Sequence, residues 1–463
     1  MISRYVTAKD KKCTSWYSAL MNKTEIDELF SRGVSSFIDP ENSFRSKIEA
    51  KMRGEKTADI VIKFGVDPTR PDLHLGHAVV LRKLRALQDI GCKVVFLVGD
   101  YTTQIGDPTG KSKVRPEITQ AEIEANMKTY LEQVGKILLT NEKVFSWIRN
   151  SDWFLNVTDI EPKQGGFVRV GVTPVSATSF VGKAVFFENT RMQKTHLKMQ
   201  NIGTVSLTRV LSVLRHITHA RLIERDMFQD RLTSGGELYM HEMLYPVLQG
   251  IDSTVLASVY GTCDLEIGGS DQTFNMLMGR DVMKMNAQPQ QAVLSMDILE
   301  GLDGKEKMSK SLDNYVSLAD EPHDMYGKIM SLPDALIARY FRLATPVPEA
   351  EIAGIEKGLK ENTLHPRDVK MRLARTITAM YHGDNTAMDA QNAFFDTFSQ
   401  GKIPEDVAEV SITENTSLLE AMMQAEVASS KTDARRLIDQ GAVTHLESDT
   451  KMTDPQAVPR EGT

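Results

Sequence analysis

The 463-residue chain is poor in cysteine, in aromatic residues and in long apolar runs. Its three cysteines, Cys13, Cys92 and Cys263, lie far apart and form no CxxC pair, which excludes a disulfide framework and a zinc knuckle and favours a reducing cytoplasm. No apolar run reaches the ~18 residues that span a bilayer, so we expect no membrane insertion. The net charge is −7, with 55 basic against 62 acidic residues, which excludes a protein that coats DNA by bulk charge.

The overall composition is typical of a globular protein with several domains. Apolar residues make up 41% and charged residues 25%, and at ~100–200 residues each the chain has room for about two to four domains. The first 24 residues are basic but lack the apolar core of a secretory signal. An organellar presequence is one interpretation of this segment. We favour the other, a loose basic N-terminus on a cytoplasmic protein.

Apolar patterns predict a strand–helix–strand unit early in the chain. Residues 59–65 and 93–99 are apolar runs typical of buried strands, and residues 77–88 carry Val80, Leu84 and Leu87 on one helical face. Such a unit predicts parallel pairing, with ligands at the C-terminal ends of the strands. Further along the chain, the patterns predict helix over 116–150, a β-rich insertion over 161–202, helices over 333–382 and a polar linker over 383–412.

The sequence DPTRPDLHLGH, residues 67–77, follows the first predicted strand. A helix that begins here offers free N–H groups and the positive end of its dipole to an anion. Gly76 leaves room for a flat ring, and His74 and His77 project from one turn toward a bound phosphate. The alternatives are a surface pair or a metal pair, but zinc needs a third ligand and no suitably spaced Cys or His follows nearby.

A second candidate is the loop GKEKMSKS, residues 304–311. Lys307 and Lys310 stand between small polar residues after a glycine turn, so the loop could fold over a triphosphate and place point charges on a departing pyrophosphate. Taken alone, such a string is more typical of a solvated surface loop.

The two motifs occur in order, with EIGGSDQ at residues 266–272 between them. The combination resembles the paired signature of class I aminoacyl-tRNA synthetases, and the middle segment resembles the GGSDQ of the tyrosyl and tryptophanyl branch. Tyr245, Gln249 and Asp252, spaced i, i+4, i+7, share one face of an otherwise apolar helix. An internal hydrogen-bond network is one explanation. The other is that this stripe resembles the YxxxQxxD helix with which tyrosyl-tRNA synthetases grip the ammonium group and phenol of their substrate.

The resemblance implies that L-tyrosine is joined to tRNA(Tyr) through a tyrosyl-adenylate, with ATP and its Mg²⁺, in a homodimer. The catalytic residues that it implies are His74, His77, Thr69, Lys307, Lys310, Lys111 and Arg115. The ATP contacts are Asp67, Gly76, His74, His77, Lys307 and Lys310. The tyrosine contacts are Gly65, Asp67, Asp107, Tyr245, Gln249, Asp252, Asp271 and Gln272. The tRNA contacts are Lys431, Arg435 and Arg436, and no resident metal is implied.

The fold class that the resemblance implies is α/β. It comprises a Rossmann-like parallel-sheet catalytic domain, a helical anticodon-side domain and a small α+β S4-like C-terminal domain. The expected boundaries are an N-terminal helical segment at 1–58, the catalytic domain at 59–315 with a dimer-interface insert at about 116–250, the helical tRNA-binding domain at 316–382, the linker at 383–412 and the S4-like domain at 413–463.

Two features depart from the family. Lys63 stands where the best-known bacterial tyrosyl enzymes have a tyrosine that touches the substrate hydroxyl, and residues 161–202 form an insertion that the family lacks.

Two alternative functions are also consistent with parts of the sequence. The tryptophanyl enzyme lacks the Tyr-Gln-Asp stripe and the S4-like tail. A catalytically inactive RNA-binding paralogue would usually show damage in a phosphate motif, and none is seen here.

Overall fold

The computed structural model describes residues 23–108, 118–154, 156–163, 167–173, 205, 207–400, 416–425, 427–428, 430–439, 441–445 and 450–458. The chain divides into two compact units, Met1–Gln391 and Asn392–Thr463. Within the described ranges, no helix is long and apolar enough to cross a bilayer.

A six-stranded sheet organises the first unit. In spatial order its strands are β1 (Val34–Ile38), β8 (Ala292–Met296), β7 (Leu265–Gly269), β2 (Val61–Val66), β3 (Lys93–Val98) and β4 (Phe145–Arg149). Neighbours from β8 to β4 run parallel, and β1 pairs antiparallel with β8 at one edge. The predicted parallel sheet is confirmed. Chain order reverses between β7 and β2, so a ligand crevice is expected at their C-terminal ends.

Helices bury the central strands, which is why these strands are apolar rather than alternating. The helices are α3 (Leu75–Asp89) against β3, α9 (Met240–Tyr260) against β2, and α10 (Thr273–Met285) against β7 and β8. Leu81, Leu84 and Leu87 of α3 are fully buried. The predicted strand–helix–strand unit is therefore confirmed.

Two strands contradict helical predictions. β1 lies inside the predicted helical segment 1–58, between α1 (Lys23–Ser31) and α2 (Ser43–Met52). β4 lies inside the stretch 116–150, after α5 (Gln120–Val134), so the insert expected at about 116–250 includes part of the main sheet. Five-residue edge strands give little periodicity, and the buried Phe145 and Ile148 of β4 are spaced i, i+3 as in a helix.

Short elements complete the region between β3 and α9. They are α4 (Asp100–Ile105), β5 (Asn156–Lys163), β6 (Phe167–Thr173), α6 (Leu207–Leu214), α7 (His219–Ile223) and α8 (Asp226–Thr233). β5 and β6 pair antiparallel, which confirms the β character of the start of the predicted insertion. The rest of 161–202 lies outside the described residues.

Helices follow the sheet, as predicted for 333–382. They are α11 (Pro322–Met330), α12 (Ile337–Ala344), α13 (Glu349–Lys360), α14 (Pro366–His382) and α15 (Asp384–Gln400). The polar linker predicted at 383–412 is therefore wrong for 384–400, because Ala387 and Ala390 are buried and give this polar stretch one packed side. Residues 401–412 lie outside the described residues.

The second unit holds α16 (Leu418–Gln424), α17 (Lys431–Asp439), β9 (Thr444–His445) and β10 (Thr450–Lys451). Leu418, Met422, Ala434 and Ile438 belong to its own small core. Lys431, Arg435 and Arg436 are exposed on α17, as predicted. Likeness to an S4 domain stays a prediction.

Candidate active site

A cavity of about 300 Å³ opens at the C-terminal ends of β2 and β7. The predicted site residues in its lining are Gly65, Asp67, Thr69, His74, Gly76, His77, Asp107, Tyr245, Gln249, Asp252, Asp271, Gln272 and Lys307. Lys310 is outside the lining, and Lys431, Arg435 and Arg436 belong to the second unit. Lys111 and Arg115 lie outside the described residues.

The polar stripe of α9 faces this cavity, as its spacing predicts. Tyr245 Oη donates a hydrogen bond to Asp67 Oδ2 at 2.9 Å, and Gln249 Nε2 donates to Glu266 Oε1 at 3.0 Å. Tyr245 thus links α9 to the residue that directly follows β2, and Gln249 links it to β7.

Asp252 is the deepest member of the stripe, at 2% exposure. Trp153 Nε1 donates to its Oδ1 at 2.9 Å, and Asn150 Nδ2 lies 3.4 Å from its Oδ2. Burial raises the pKa of Asp252 to about 7, although Lys63 and the two hydrogen-bond donors act to lower it. The Oδ2 atom, with one long hydrogen bond, is the better placed of the two oxygens to accept a hydroxyl.

A second carboxylate, Asp107, lies across the cavity beside the segment that follows β7. Gln272 Nε2 donates to its Oδ2 at 2.7 Å, and Arg225 Nη2 is 3.6 Å from its Oδ1. Asp67 and Asp107 together supply the negative charge that an ammonium group requires.

Sequence reasoning assigned no role to four polar residues near the α9 stripe: Lys63, Glu266, Asn150 and Trp153. Lys63 Nζ and Glu266 Oε1 form an ion pair at 2.9 Å, with both side chains almost fully buried. The available signal was a lysine inside the apolar run of β2, because a buried charge requires a partner. Asn150 and Trp153 gave no comparable signal.

The two motif histidines meet where α3 begins. His74 precedes the first residue of the helix, its backbone N–H donates to His77 Nδ1 at 3.2 Å, and the ring centroids are 4.0 Å apart. Burial, and then the charges of Lys310 and Lys307, lower the pKa of His77 to about 3. Burial and His77 lower that of His74 well below its usual value. Because His77 Nδ1 accepts, its proton is on Nε2 and can be donated to a ligand.

The alternative of a metal-binding histidine pair finds no third ligand. Among the described residues, no group of three or more His, Cys, Asp and Glu side chains could hold a metal ion. Gly76 allows the close ring packing, since a Cβ there would lie 3.0 Å from the His74 ring and make a tight contact.

The lysine loop lies over the same edge of the sheet. Lys307 Nζ donates to Asp271 Oδ2 at 2.9 Å, and Lys310 Nζ lies 5.6 Å from the centre of the Tyr130 ring. Burial lowers the pKa of Lys310 to about 8, so it is mostly charged at neutral pH. Asn314 ties the loop at both sides, accepting from the Ser309 N–H and donating to Asp303.

The arrangement suits the joining of an amino acid to a nucleotide. Asp252 can accept a hydroxyl, Asp67 and Asp107 can hold an ammonium group, and neutral histidines at a helix N-terminus can donate to phosphate oxygens. The lysine loop adds positive charge at the phosphate side.

Known proteins are similar to this chain in sequence. A family model described as tRNA synthetases class I (W and Y) matches residues 55–164 and 175–399. The prediction that 161–202 is an insertion which the family lacks is therefore wrong for all but residues 165–174. A tyrosine–tRNA ligase of Moorella thermoacetica is 39% identical over 441 residues, covering 95% of this chain and 92% of that protein. One of Thermotoga maritima is 38% identical over 426 residues, covering 91% and 90%.

Two solved structures have a similar fold. A C-terminally truncated mitochondrial tyrosyl-tRNA synthetase of Aspergillus nidulans superposes with a TM-score of 0.56 at 20% identity, covering 81% of this chain and 95% of that one. A tyrosyl-tRNA synthetase of Archaeoglobus fulgidus, complexed with L-tyrosine, gives a TM-score of 0.53 at 19% identity, covering 80% and 100%. At such identities the likeness shows the fold alone.

Proposed function

This chain belongs to the class I tRNA synthetases of the tryptophan and tyrosine family, and from that membership we propose that it joins L-tyrosine to tRNA(Tyr) through a tyrosyl-adenylate. The family uses ATP. The observation that carries the choice of tyrosine is the buried Asp252 carboxylate, which faces the cavity on the α9 stripe and can accept the phenol hydroxyl.

The rest of the α9 stripe and its neighbours would hold the amino acid by its other end. Asp67 and Asp107 provide negative charge for the ammonium group, with Tyr245 fixing Asp67 and Gln272 fixing Asp107. Gln249 would contact the same end of the substrate. Gly65, which has no side chain, would let the substrate lie close to the backbone.

Adenylate formation needs positioning more than acid–base chemistry, because the substrate carboxylate is already a nucleophile. One carboxylate oxygen attacks the α-phosphorus of ATP, the bond to the bridging oxygen breaks, and pyrophosphate leaves. His74, His77 and Thr69 would hold the phosphates, and Lys307 and Lys310 would neutralise the departing pyrophosphate. Lys111 and Arg115 are proposed for the same side, and Asp271 and Gly76 for the nucleotide and tyrosine walls.

We also propose a metal ion, a homodimer, a tRNA-binding surface and a cellular location. Mg²⁺ would arrive bound to the ATP phosphates, which suits its preference for few protein ligands. A homodimer is proposed from the same family membership. The acceptor tRNA would contact Lys431, Arg435 and Arg436 of the second unit. A cytoplasmic location fits the free, buried Cys92 and Cys263.

The direct test is ATP–pyrophosphate exchange with tyrosine, phenylalanine and tryptophan. We expect tyrosine to be activated and the other two to be poor substrates. Preference for tryptophan would establish the tryptophanyl alternative, and no exchange with any amino acid would establish the inactive paralogue.

Gly99 leaves no room for a side chain beside Asp67. A Cβ at this position would lie 2.1 Å from Asp67 Oδ1 and 2.4 Å from Thr102 Oγ1, two atoms that share a hydrogen bond of 2.9 Å. Gly99→Ala should therefore displace the Asp67 carboxylate and lower kcat/KM for tyrosine about tenfold or more in the exchange assay. Gly327→Ala on α11 is the control, since a Cβ there meets nothing within 4 Å. Equal kinetics of the two variants would contradict the role of Asp67.

Deletion of residues 413–463 should separate activation from transfer. Every proposed small-molecule contact precedes Ser311, and the second unit has its own core, so exchange should stay near wild type. The KM for tRNA should rise about tenfold or more, because phosphate contacts are lost. Alanine at Lys431, Arg435 and Arg436 together should reproduce the effect in the full chain. Unchanged aminoacylation in both proteins would leave α17 as an ordinary solvated helix.

A further inference from the structure

A fully buried lysine lies in strand β2 beside the cavity. Lys63 Nζ donates to the Gln249 carbonyl at 2.7 Å and to Ser253 Oγ at 2.8 Å, and it lies 2.9 Å from Glu266 Oε1. These three acceptors match the three donors of an ammonium group. Lys63 therefore acts on the neighbouring α9 through its contacts and its charge.

The partner carboxylate is equally built into the fold. Glu266 on β7 accepts hydrogen bonds from Gln249 at Oε1 and from Ser253 and Gln291 at Oε2. Gly279 on α10 makes the space, because a Cβ there would come within 3.0 Å of Glu266 Oε2. The carboxylate thus receives contacts from α9, from β2 and from the residue that directly precedes β8.

Stability alone does not account for this ion pair. A buried pair is often no more stabilising than apolar residues of equal volume, because two charges must be desolvated. Both Lys63 and Glu266 line the ligand cavity together with Asp252. Their contacts to Gln249 and Ser253 are made on the same helix, α9, that carries Asp252.

We propose, on the basis of the proposed function, that Lys63 and Glu266 are positioning residues for tyrosine specificity. They fix the α9 wall, and their opposite charges act on Asp252 as it accepts the phenol hydroxyl. The two groups act in opposite directions. Lys63 lowers the pKa of Asp252 and Glu266 raises it, while burial has the largest effect and raises it. An ionised carboxylate is a stronger hydrogen-bond acceptor than a neutral one. The pair therefore sets how strongly the site prefers a substrate with a hydroxyl group.

The other charged groups near Asp252 are already engaged. On α4, Asp100 accepts from Arg149 Nη1 at 3.4 Å. Burial, with Asp100 nearby, raises the pKa of Asp152 well above its usual value. Trp153 and Asn150 are uncharged donors. Lys63 and Glu266 are thus the charged residues that act on the pKa of Asp252.

The test measures the ratio of kcat/KM for tyrosine to that for phenylalanine from pH 6 to 9, in the full-length protein. Lys63→Met should raise the pKa of Asp252, so the tyrosine preference should disappear at a higher pH, with the midpoint shifted up by about one unit or more. Glu266→Gln should lower that pKa and shift the midpoint down. At pH 6 the two ratios should differ about tenfold or more.

The double variant, Lys63→Met with Glu266→Gln, removes both charges and guards against a folding defect in either single variant. Lys63 has a larger effect on the pKa of Asp252 than Glu266 has. The midpoint of the double variant should therefore lie above that of the wild type. Lys47→Met is the control, because it breaks an ion pair with Asp264, which directly precedes β7 and does not line the cavity, and it should leave the profile unchanged. Midpoints that move the same way in both single variants, or not at all, would overturn the inference. Failure of the wild type to activate tyrosine would instead overturn the proposed function.

Discussion

Replacing Lys307 and Lys310 together by alanine is expected to slow tyrosyl-adenylate formation by about 10³-fold or more, with little change in tyrosine binding. The two charges would meet a group that departs in the transition state, so their loss should appear in the rate and not in ground-state affinity. Lys307 is held by Asp271, and Lys310 keeps most of its charge at neutral pH. Pre-steady-state activation at varied tyrosine concentration separates the two quantities.

Lys305→Ala provides the control for this experiment. Lys305 is on the same loop, is exposed, and donates its backbone N–H to Asp303 Oδ1. Its loss should leave the activation rate near wild type. A raised tyrosine dissociation constant with an unchanged activation rate in the double variant would remove the lysine loop from the phosphate side.

Prediction from sequence succeeded where the signal was continuous along the chain. β2, α3 and β3 were predicted because buried parallel strands and an amphipathic helix each have a strong apolar pattern. β1 and β4 were missed because each has five residues at an edge of the sheet, and its identity depends on a distant partner: β1 pairs with β8, more than 250 residues away. Helix α15 was missed because only two small alanines mark its packed side.

The candidate site shows the same division. The histidine motif and the lysine loop are contiguous strings, so they could be found by reading along the chain. The partners of Asp252 could not, since Trp153 is 99 residues away and Asn150 is 102 residues away. Lys63 was noticed as an anomaly, but its pairing with Glu266 required the adjacent placement of β2 and β7. Side-chain contacts that depend on the register between two strands cannot be predicted from a local sequence pattern.

Asp252→Ala is expected to lower kcat/KM for tyrosine about 10²-fold and that for phenylalanine much less, which compresses the ratio between them. The wild-type carboxylate would accept the phenol hydroxyl, and with phenylalanine bound it would be left buried without that donor. Such a stranded polar group costs more than the bond itself contributes. Alanine removes the penalty together with the preference.

Tyr245→Phe and Gln249→Ala are the comparison variants, because these residues lie two turns and one turn before Asp252 on α9, respectively, and would serve the ammonium group that both substrates share. Each should weaken tyrosine and phenylalanine alike and leave their ratio near wild type. The pH dependence sharpens the contrast. The pKa of Asp252 is raised to about 7, so its ionised form, and with it the tyrosine preference, should decline as the pH falls through that value. Asp252→Ala should abolish this decline. Discrimination that is unchanged in Asp252→Ala across the pH range would place the phenol contact on another group, and the Lys63 side of the cavity would then be the first place to test.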